Sequence, residues 1–348
     1  MMISKRFIYD LNLSEWQAWM QEHNLPAYRA GQINQWLARG ARSIDDMSDL
    51  PKDLRALIAD SFLVEGLVLE QKLQSKLDDT AKYIFRLADG NVIESVLMHY
   101  HYGYSVCISS QAGCRMGCTF CASTGAGFGR SLTAGEMLAQ VALIARECEN
   151  RIGHVVVMGI GEPFDNYDQL IIFLHRINDP RSLNIGMRHI SVSTCGLVPE
   201  MLKFTDEGLP VTLSVSLHAP NDTIRRQLMP IASRYDYGQL MTACRRHVNR
   251  TGRRISFEYS MFNGVNDRPE HAAELAEQLK GLLCHVNLIP ANEIDGGRYQ
   301  QSRQTTVQIF QDRLARSGVN ATVRRELGSD IMAACGQLRR RIEACGNP

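Results

Sequence analysis

Residues 105–121 read SVCISSQAGCRMGCTFC: a β-rich run from Ser105 to Ser109 that breaks into a glycine-containing loop with three cysteines at C-x3-C-x2-C spacing. The same pattern, a short apolar run and then a polar loop, recurs at 154–158, 189–193, 211–217, 255–261 and 285–289. Helical periodicity separates these runs, at 134–148, 167–177, 199–207, 239–249 and 269–282. Strands alternating with helices imply right-handed βαβ units and a parallel sheet. Six such units predict an α/β fold built as a partial (β/α)6 barrel, short of the closed eight-stranded form. The sequences QAGCRMGC, GIGEP, TCG, HAPND and PAN each follow a strand. In barrels, the loops after the strands share one rim and carry the chemistry.

Outward from the barrel, the N-terminal part reads differently. Ser14 is a plausible N-cap for a helix over 15–22, residues 29–39 put Ile33, Trp36 and Leu37 on one face before Gly40, and Pro51 opens a third helix. From Leu67 the pattern is extended, and Asp89-Gly90 between apolar runs marks a β-hairpin. The expected organisation is a small helical accessory domain over 1–64, a hairpin extension over 65–99 and a barrel core over 100–348. That core closes with a helix over 305–316, a strand over 321–324 and a polar tail.

Composition narrows the class. Of 348 residues, 45% are hydrophobic and 22% charged, the balance of a globular protein. Thirty-eight basic residues against 37 acidic ones leave +1, so global attraction to a polyanion is excluded and any nucleic-acid contact must use local clusters. No apolar run approaches the roughly 18 residues of a membrane span. The N-terminus, MMISKRFIYDLNLSEW, has no apolar signal core. A cytoplasmic location is expected, where clustered thiols among the ten cysteines point to metal or catalysis.

Cys114, Cys118 and Cys121 in one loop can wrap a single metal centre. A zinc knuckle is the competing reading, but closed zinc sites want four ligands, often as two C-x2-C pairs, and no second pair lies nearby. With Phe120 just before the third cysteine, after the first strand of a partial barrel, the triplet resembles the radical S-adenosylmethionine superfamily. More narrowly, S-x-Q-A-G-C-x3-C-x-F-C, GEP, SLHAPND, NLIP-x-N and D-I-x-A-A-C-G-Q-L together resemble the RlmN and Cfr family of RNA adenine methyltransferases. The likeness runs from YRAGQINQWL and DLPKDLR near the N-terminus to AACGQL near the C-terminus.

The resemblance implies a [4Fe-4S] cluster on Cys114, Cys118 and Cys121, with S-adenosylmethionine on its open iron. Gly161, Glu162, Ser193, Ser216, Leu217, His218 and Asn292 match the family's cofactor positions. Without the family, GIGEP could equally be a tight turn with a solvated carboxylate. Cys335 matches a cysteine that is methylated and carries the methyl group to the base, although a lone cysteine is more often a small buried hydrophobe. Cys107 matches the resolving thiol, which forms a transient disulfide with Cys335. Glu94 matches the proton acceptor; a core cysteine and an edge-strand carboxylate are the plainer readings of these two.

The implied activity is methylation of carbon 2 of an adenosine in 23S rRNA and in tRNA. Carbon 8 of the rRNA base, or another RNA, is the alternative. A non-catalytic iron–sulfur or zinc RNA-binding protein would need neither GEP nor two outlying thiols. RNA and an electron donor such as flavodoxin or ferredoxin with its reductase are the implied partners, and a monomer with no membrane contact is expected. Candidate phosphate contacts are Arg245, Arg246, Arg250, Arg253 and Arg254, then Arg324 and Arg325, then 339–341. The loop CASTGAGFGRSL and the run GIGEPFDN depart from the common family pattern beside the cofactor.

Overall fold

The computed structural model describes residues 5–125, 127–148, 151–291, 298–334 and 336–338. Three helices come first, α1 (Leu13–Glu22), α2 (Tyr28–Ala38) and α3 (Lys52–Ser61). The cap of α1 is Asn12 rather than Ser14. Its side chain accepts from the Glu15 N–H at 3.0 Å while the Glu15 carboxylate accepts from the Asn12 N–H at 2.8 Å. Ser14 has a candidate box partner of its own in Gln17, but the helix begins at Leu13 and the reciprocal bonds form between Asn12 and Glu15. Trp16 is fully buried and packs edge-on against Trp19 and Phe62, so these rings form the module's core.

The rest follows as β1 (Leu67–Gln74), β2 (Ala81–Leu87), β3 (Val92–Tyr100), β4 (Gly103–Ile108), β5 (Gln111–Gly113), α4 (Ala122–Gly125), β6 (Phe128–Ser131) and α5 (Ala134–Ala145). Then come β7 (Ile152–Val157), α6 (Tyr167–Asn178), β8 (Ile190–Thr194), α7 (Val198–Glu207), β9 (Thr212–Ser216), α8 (Asp222–Leu228) and α9 (Tyr237–Thr251). The chain closes with β10 (Ile255–Met261), α10 (Pro269–Leu279), β11 (Cys284–Pro290), α11 (Gln304–Arg316) and β12 (Ala321–Val323).

One ten-stranded sheet runs β1-β2-β3-β4-β7-β8-β9-β10-β11-β12. The first four strands pair antiparallel, and every pair from β4 onward is parallel. The six expected barrel strands are therefore present, β12 extends the parallel series, and the hairpin joins the same sheet. Along each parallel strand, alternate residues such as Val155 and Val157, Leu213 and Val215, or Phe257 and Tyr259 are buried, as expected where helices cover one face. The intervening positions on the concave face are small or polar: Ser191, Ser193, Ser214, Ser216, Ser256 and Asn287. A covered apolar face and a polar concave one follow from the same period of two.

The helical module docks on α5. Gly40 at φ +77° lies where a Cβ would stand 2.4 Å from the Ala142 carbonyl oxygen, and Arg146 forks onto Asp46 at 2.7 and 3.1 Å. Among the described residues, no helix is long and apolar enough to cross a membrane.

Candidate active site

The cysteine loop is framed by an antiparallel pair that the sequence did not announce, β5 with β6. Cys114, Cys118 and Cys121 lie between them and line one open cleft with Gly161, Glu162, Ser193, Ser216 and His218. Thus residues at or just beyond the ends of four separate strands converge, as the rim argument requires. Leu217 is fully buried and packs in the core, contributing its backbone to the same turn. Asn292 lies outside the described residues.

The loop is tied down by polar contacts. Arg115 makes a bidentate pair with Asp165 at 2.7 and 2.8 Å, which joins the cysteine loop to the turn after β7. Gln111 reinforces it, donating to Asp165 at 2.8 Å and accepting from the Glu162 N–H at 2.9 Å. Asp165 belongs to the departure GIGEPFDN, and the structure gives it a local role. Gly161 has φ +110°, and a Cβ there would lie 2.6 Å from the Gln111 side chain and 2.8 Å from its backbone nitrogen. Only glycine fits so close an approach.

Glu162 is buried, not solvated. Its carboxylate accepts from the Phe164 N–H at 3.0 Å and the Cys195 N–H at 2.7 Å, and burial pushes its pKa up. The carbonyl of that same Cys195 accepts from Arg225 Nη2 at 2.6 Å, and Ser216 O accepts from it at 3.2 Å. Carboxylate and guanidinium are thereby linked through the backbone of one residue, Cys195, which clamps the loops after β7, β8 and β9. His218, at φ +54°, accepts a hydrogen bond on Nδ1 from the Ser260 N–H at 2.9 Å. Burial and then the Arg225 charge hold its pKa down to about 3. It is a neutral imidazole with its remaining proton on Nε2. The ring stands edge-on to Phe120 at 4.8 Å.

Burial, then the neighbouring Cys121 sulfur among the charges, pushes the Cys114 thiol up to about 12, and Cys118 is raised well above its usual value. Such thiols become thiolates only against a compensating cation, which suits metal ligands. Among the described residues, no three His, Cys, Asp or Glu side chains converge where a single metal ion could sit. The three thiols line one cleft.

A second pocket adjoins the first and shares Met158, Ile289 and Arg324 with it. Cys107 lines it together with Val96, Ala333 and Ala334. Cys335 is outside the described residues, but Ala334 faces this pocket and Gly336 faces the cysteine cleft. Glu94 is not on an edge: β3 lies between β2 and β4, and the side chain is 4% exposed, 3.6 Å from Lys82 Nζ. Val96 is directly across from Cys107, and period two puts Glu94 on the same face of β3 as Val96.

The arginine clusters separate. Arg245 donates to the Gln278 carbonyl and Arg246 pairs with Asp206 on the outer helices. Arg324 and Arg325 line the Cys107 pocket; residues 339–341 lie outside the described residues. Sequence reasoning missed Arg225 and Glu258. Both left a signal: an arginine nine residues beyond Ser216 at the close of SLHAPNDTIR, and a lone acid inside the apolar strand ISFEYSM. Glu258 lines the cysteine cleft, is 5% exposed and accepts from Asn287 at 2.9 Å, while its Oε2, without a hydrogen bond among the described residues, lies 4.0 Å from Arg324 Nη1.

Comparison with known proteins agrees with this geometry. Residues 108–276 match the model of the radical SAM superfamily, and residues 8–64 match that of the ribosomal RNA large subunit methyltransferase N-terminal domain. The chain is 47% identical over 334 residues to a probable dual-specificity RNA methyltransferase RlmN of Clostridium tetani, covering 96% of each. It is 49% identical over 339 residues to the protein of the same description in Staphylococcus aureus, covering 96% of this chain and 93% of the other. A crystal structure of a radical SAM methyltransferase from Sphaerobacter thermophilus superposes with a TM-score of 0.94 at 44% identity, covering 97% of this chain and all of that one.

Proposed function

The chain belongs to the RlmN family of radical S-adenosylmethionine enzymes, and on that premise we propose that it is a dual-specificity RNA methyltransferase that methylates carbon 2 of adenosine in 23S rRNA and in tRNA. The observation carrying this reading is the pair of adjoining pockets, one with three cysteines and the Gly161–Glu162 turn, the other with Cys107.

The electron-poor ring carbon cannot attack a sulfonium methyl group, so a polar transfer is closed to it. Cys114, Cys118 and Cys121 would hold a [4Fe-4S] cluster, which would supply the one-electron chemistry that S-adenosylmethionine needs to give a radical. Gly161 lets the backbone approach the cofactor closely, and Glu162 accepts from its ammonium group. Ser193, Ser216, Leu217, His218 and Asn292 complete the cofactor's surroundings; the neutral His218 can donate from Nε2. Cys335 carries the methyl group to the base. Glu94 takes up the ring proton, with the Lys82 ammonium beside it offsetting a buried negative charge. Cys107 attacks the sulfur of Cys335 to release the RNA, leaving a disulfide that an external reductant must reopen. A flavodoxin or ferredoxin is the proposed electron donor. The proposed division of labour is a helical RNA-binding domain over 1–64, a hairpin extension over 65–99 and a catalytic core over 100–348.

Mass spectrometry of rRNA and tRNA from cells with and without the gene tests the reading. Loss of a C2-methyladenosine on deletion is expected; unchanged RNA, or loss of a carbon-8 methyl group instead, refutes the assigned target. In the purified protein Cys335 should carry an added methyl group, and Cys107→Ala should retain covalently bound RNA. An unmodified Cys335 in active enzyme removes the carrier role.

A further inference from the structure

The turn joining β3 to β4 carries His99-Tyr100-His101-Tyr102-Gly103-Tyr104, a run that the chemistry above does not use. Tyr100 and Tyr102 stack face to face, centroids 4.9 Å apart and planes 8° from parallel. His154 on β7 meets Tyr102 edge-on at 4.9 Å. His189 continues the row, 4.8 Å from His154 with a ring-nitrogen contact of 3.1 Å. Tyr102 is nonetheless 53% exposed. A ring already held by Tyr100, His154 and the adjacent His101, edge-on at 5.1 Å, with its outer part in water, has little conformational entropy left to lose when another flat group lands on it.

The position of the row indicates what that group is. Tyr100 is part of the wall of the Cys107 pocket, alongside Arg324, Arg325 and Glu326. Arg325 and, next to His189, Arg188 are exposed, so the surroundings carry more positive than negative charge. The row thus begins at the pocket lined by Cys107, the proposed resolving thiol, and runs outward to solvent. An adenine turned out of its stack leaves its neighbours unstacked, and an aromatic face can receive any of the four bases.

We propose that Tyr102, backed by Tyr100 and His154, is a stacking platform for an unpaired RNA base next to the target adenosine. The proposal rests on the RNA methyltransferase reading. It assigns Tyr102 to RNA affinity, not to the chemical step or to cofactor binding.

The test uses the reconstituted full-length enzyme and a fluorescein-labelled anticodon stem-loop RNA with adenosine beside the anticodon, followed by anisotropy across a salt series. Tyr102→Ala should weaken binding roughly ten- to a hundredfold, while Tyr102→Trp stays within about threefold of the parent because the stacking face is kept. The slope of affinity against salt should not change, since no phosphate contact is removed. S-adenosylmethionine affinity should also be unchanged. Binding by Tyr102→Ala within about twofold of the parent overturns the proposal and leaves the surface to a protein contact. Equal loss in Tyr102→Trp, or a shallower salt slope, overturns it as well. If the parent enzyme methylates this RNA while Tyr102→Ala binds normally, only the platform falls. If the parent neither binds nor methylates it or an rRNA fragment, the methyltransferase reading falls and takes the platform with it.

Discussion

Arg225→Met asks how far the candidate cleft depends on a single buried cation. Arg225 is 1% exposed, and its charge faces the sulfurs of Cys195 and Cys118. Its Nη2 holds the carbonyls of Cys195 and Ser216 at 2.6 and 3.2 Å, whereas Nε has no hydrogen bond. Two hydrogen bonds from a charged donor amount to about 3–6 kcal/mol at roughly 1.5–3 each. Against this, burial pushes the guanidinium pKa down, and replacing a buried charge by an apolar side chain of similar length recovers desolvation energy. The net expectation is a loss of about 2–3 kcal/mol in anaerobic urea unfolding. Arg225→Lys, which keeps the charge and one bond, should lose about half as much. Because the clamp fixes the turns bearing Ser193 and Ser216, S-adenosylmethionine affinity by calorimetry should fall about tenfold in the Met variant, equivalent to about 1.4 kcal/mol. A Met variant as stable as the parent, with unchanged cofactor affinity, would show that the turns hold their shape unaided and that the clamp argument is wrong.

Gly161→Ala forces a side chain into a positive-φ turn and against Gln111; about 2–4 kcal/mol of destabilisation is expected, read as a lower Tm together with weaker cofactor binding. Gly40→Ala drives a methyl group into the Ala142 carbonyl and should expose the helical module to limited proteolysis at protease levels that spare the barrel. His218 and His247 are held down to about 3 and about 4, chiefly by burial. The unfolded chain therefore binds two protons that the native state refuses as pH falls below about 6.5. Stability should be level above that pH and drop toward pH 5 with a slope approaching about 2.7 kcal/mol per unit. His247→Gln should remove about half of the slope in urea titrations at stepped pH, and an unaltered slope contradicts the assignment.

The barrel was legible because its helices and strands have different hydrophobic periods. Ile255–Met261 stands where the sequence puts it, and the other parallel strands agree within a residue or two. Asn12 escaped notice because Ser14 lies closer to the apolar pattern, and only the reciprocal Glu15 bond separates the two. The pair β5–β6 was hidden by its shortness: three and four residues give no periodicity to read. At the candidate site, the cysteine spacing and the loops after the strands indicated one rim, and the family resemblance indicated which side chains share the cleft. Spacing could not indicate burial, so Glu94 read as an edge carboxylate until the sheet order enclosed it. Arg225 and Asp165 act through backbone carbonyls and a neighbouring arginine, contacts that a linear motif does not record.

The C-terminal segment is fastened across the molecule to the turn between β1 and β2. Asp330 accepts from Ser75 Oγ at 2.7 Å and the Lys76 N–H at 2.8 Å, and Asp78 accepts from the Gly328 N–H at 3.0 Å. These contacts join residues about 250 positions apart. Because synthesis proceeds from the N-terminus and domains fold as they emerge, the helical module and most of the sheet can form while the wall holding Ala333 and Ala334 does not yet exist. Completion of the Cys107 pocket thus waits on a segment about 250 positions beyond the turn it is fastened to, and a chain lacking that segment would be left with a cysteine cleft whose neighbouring chamber never closed.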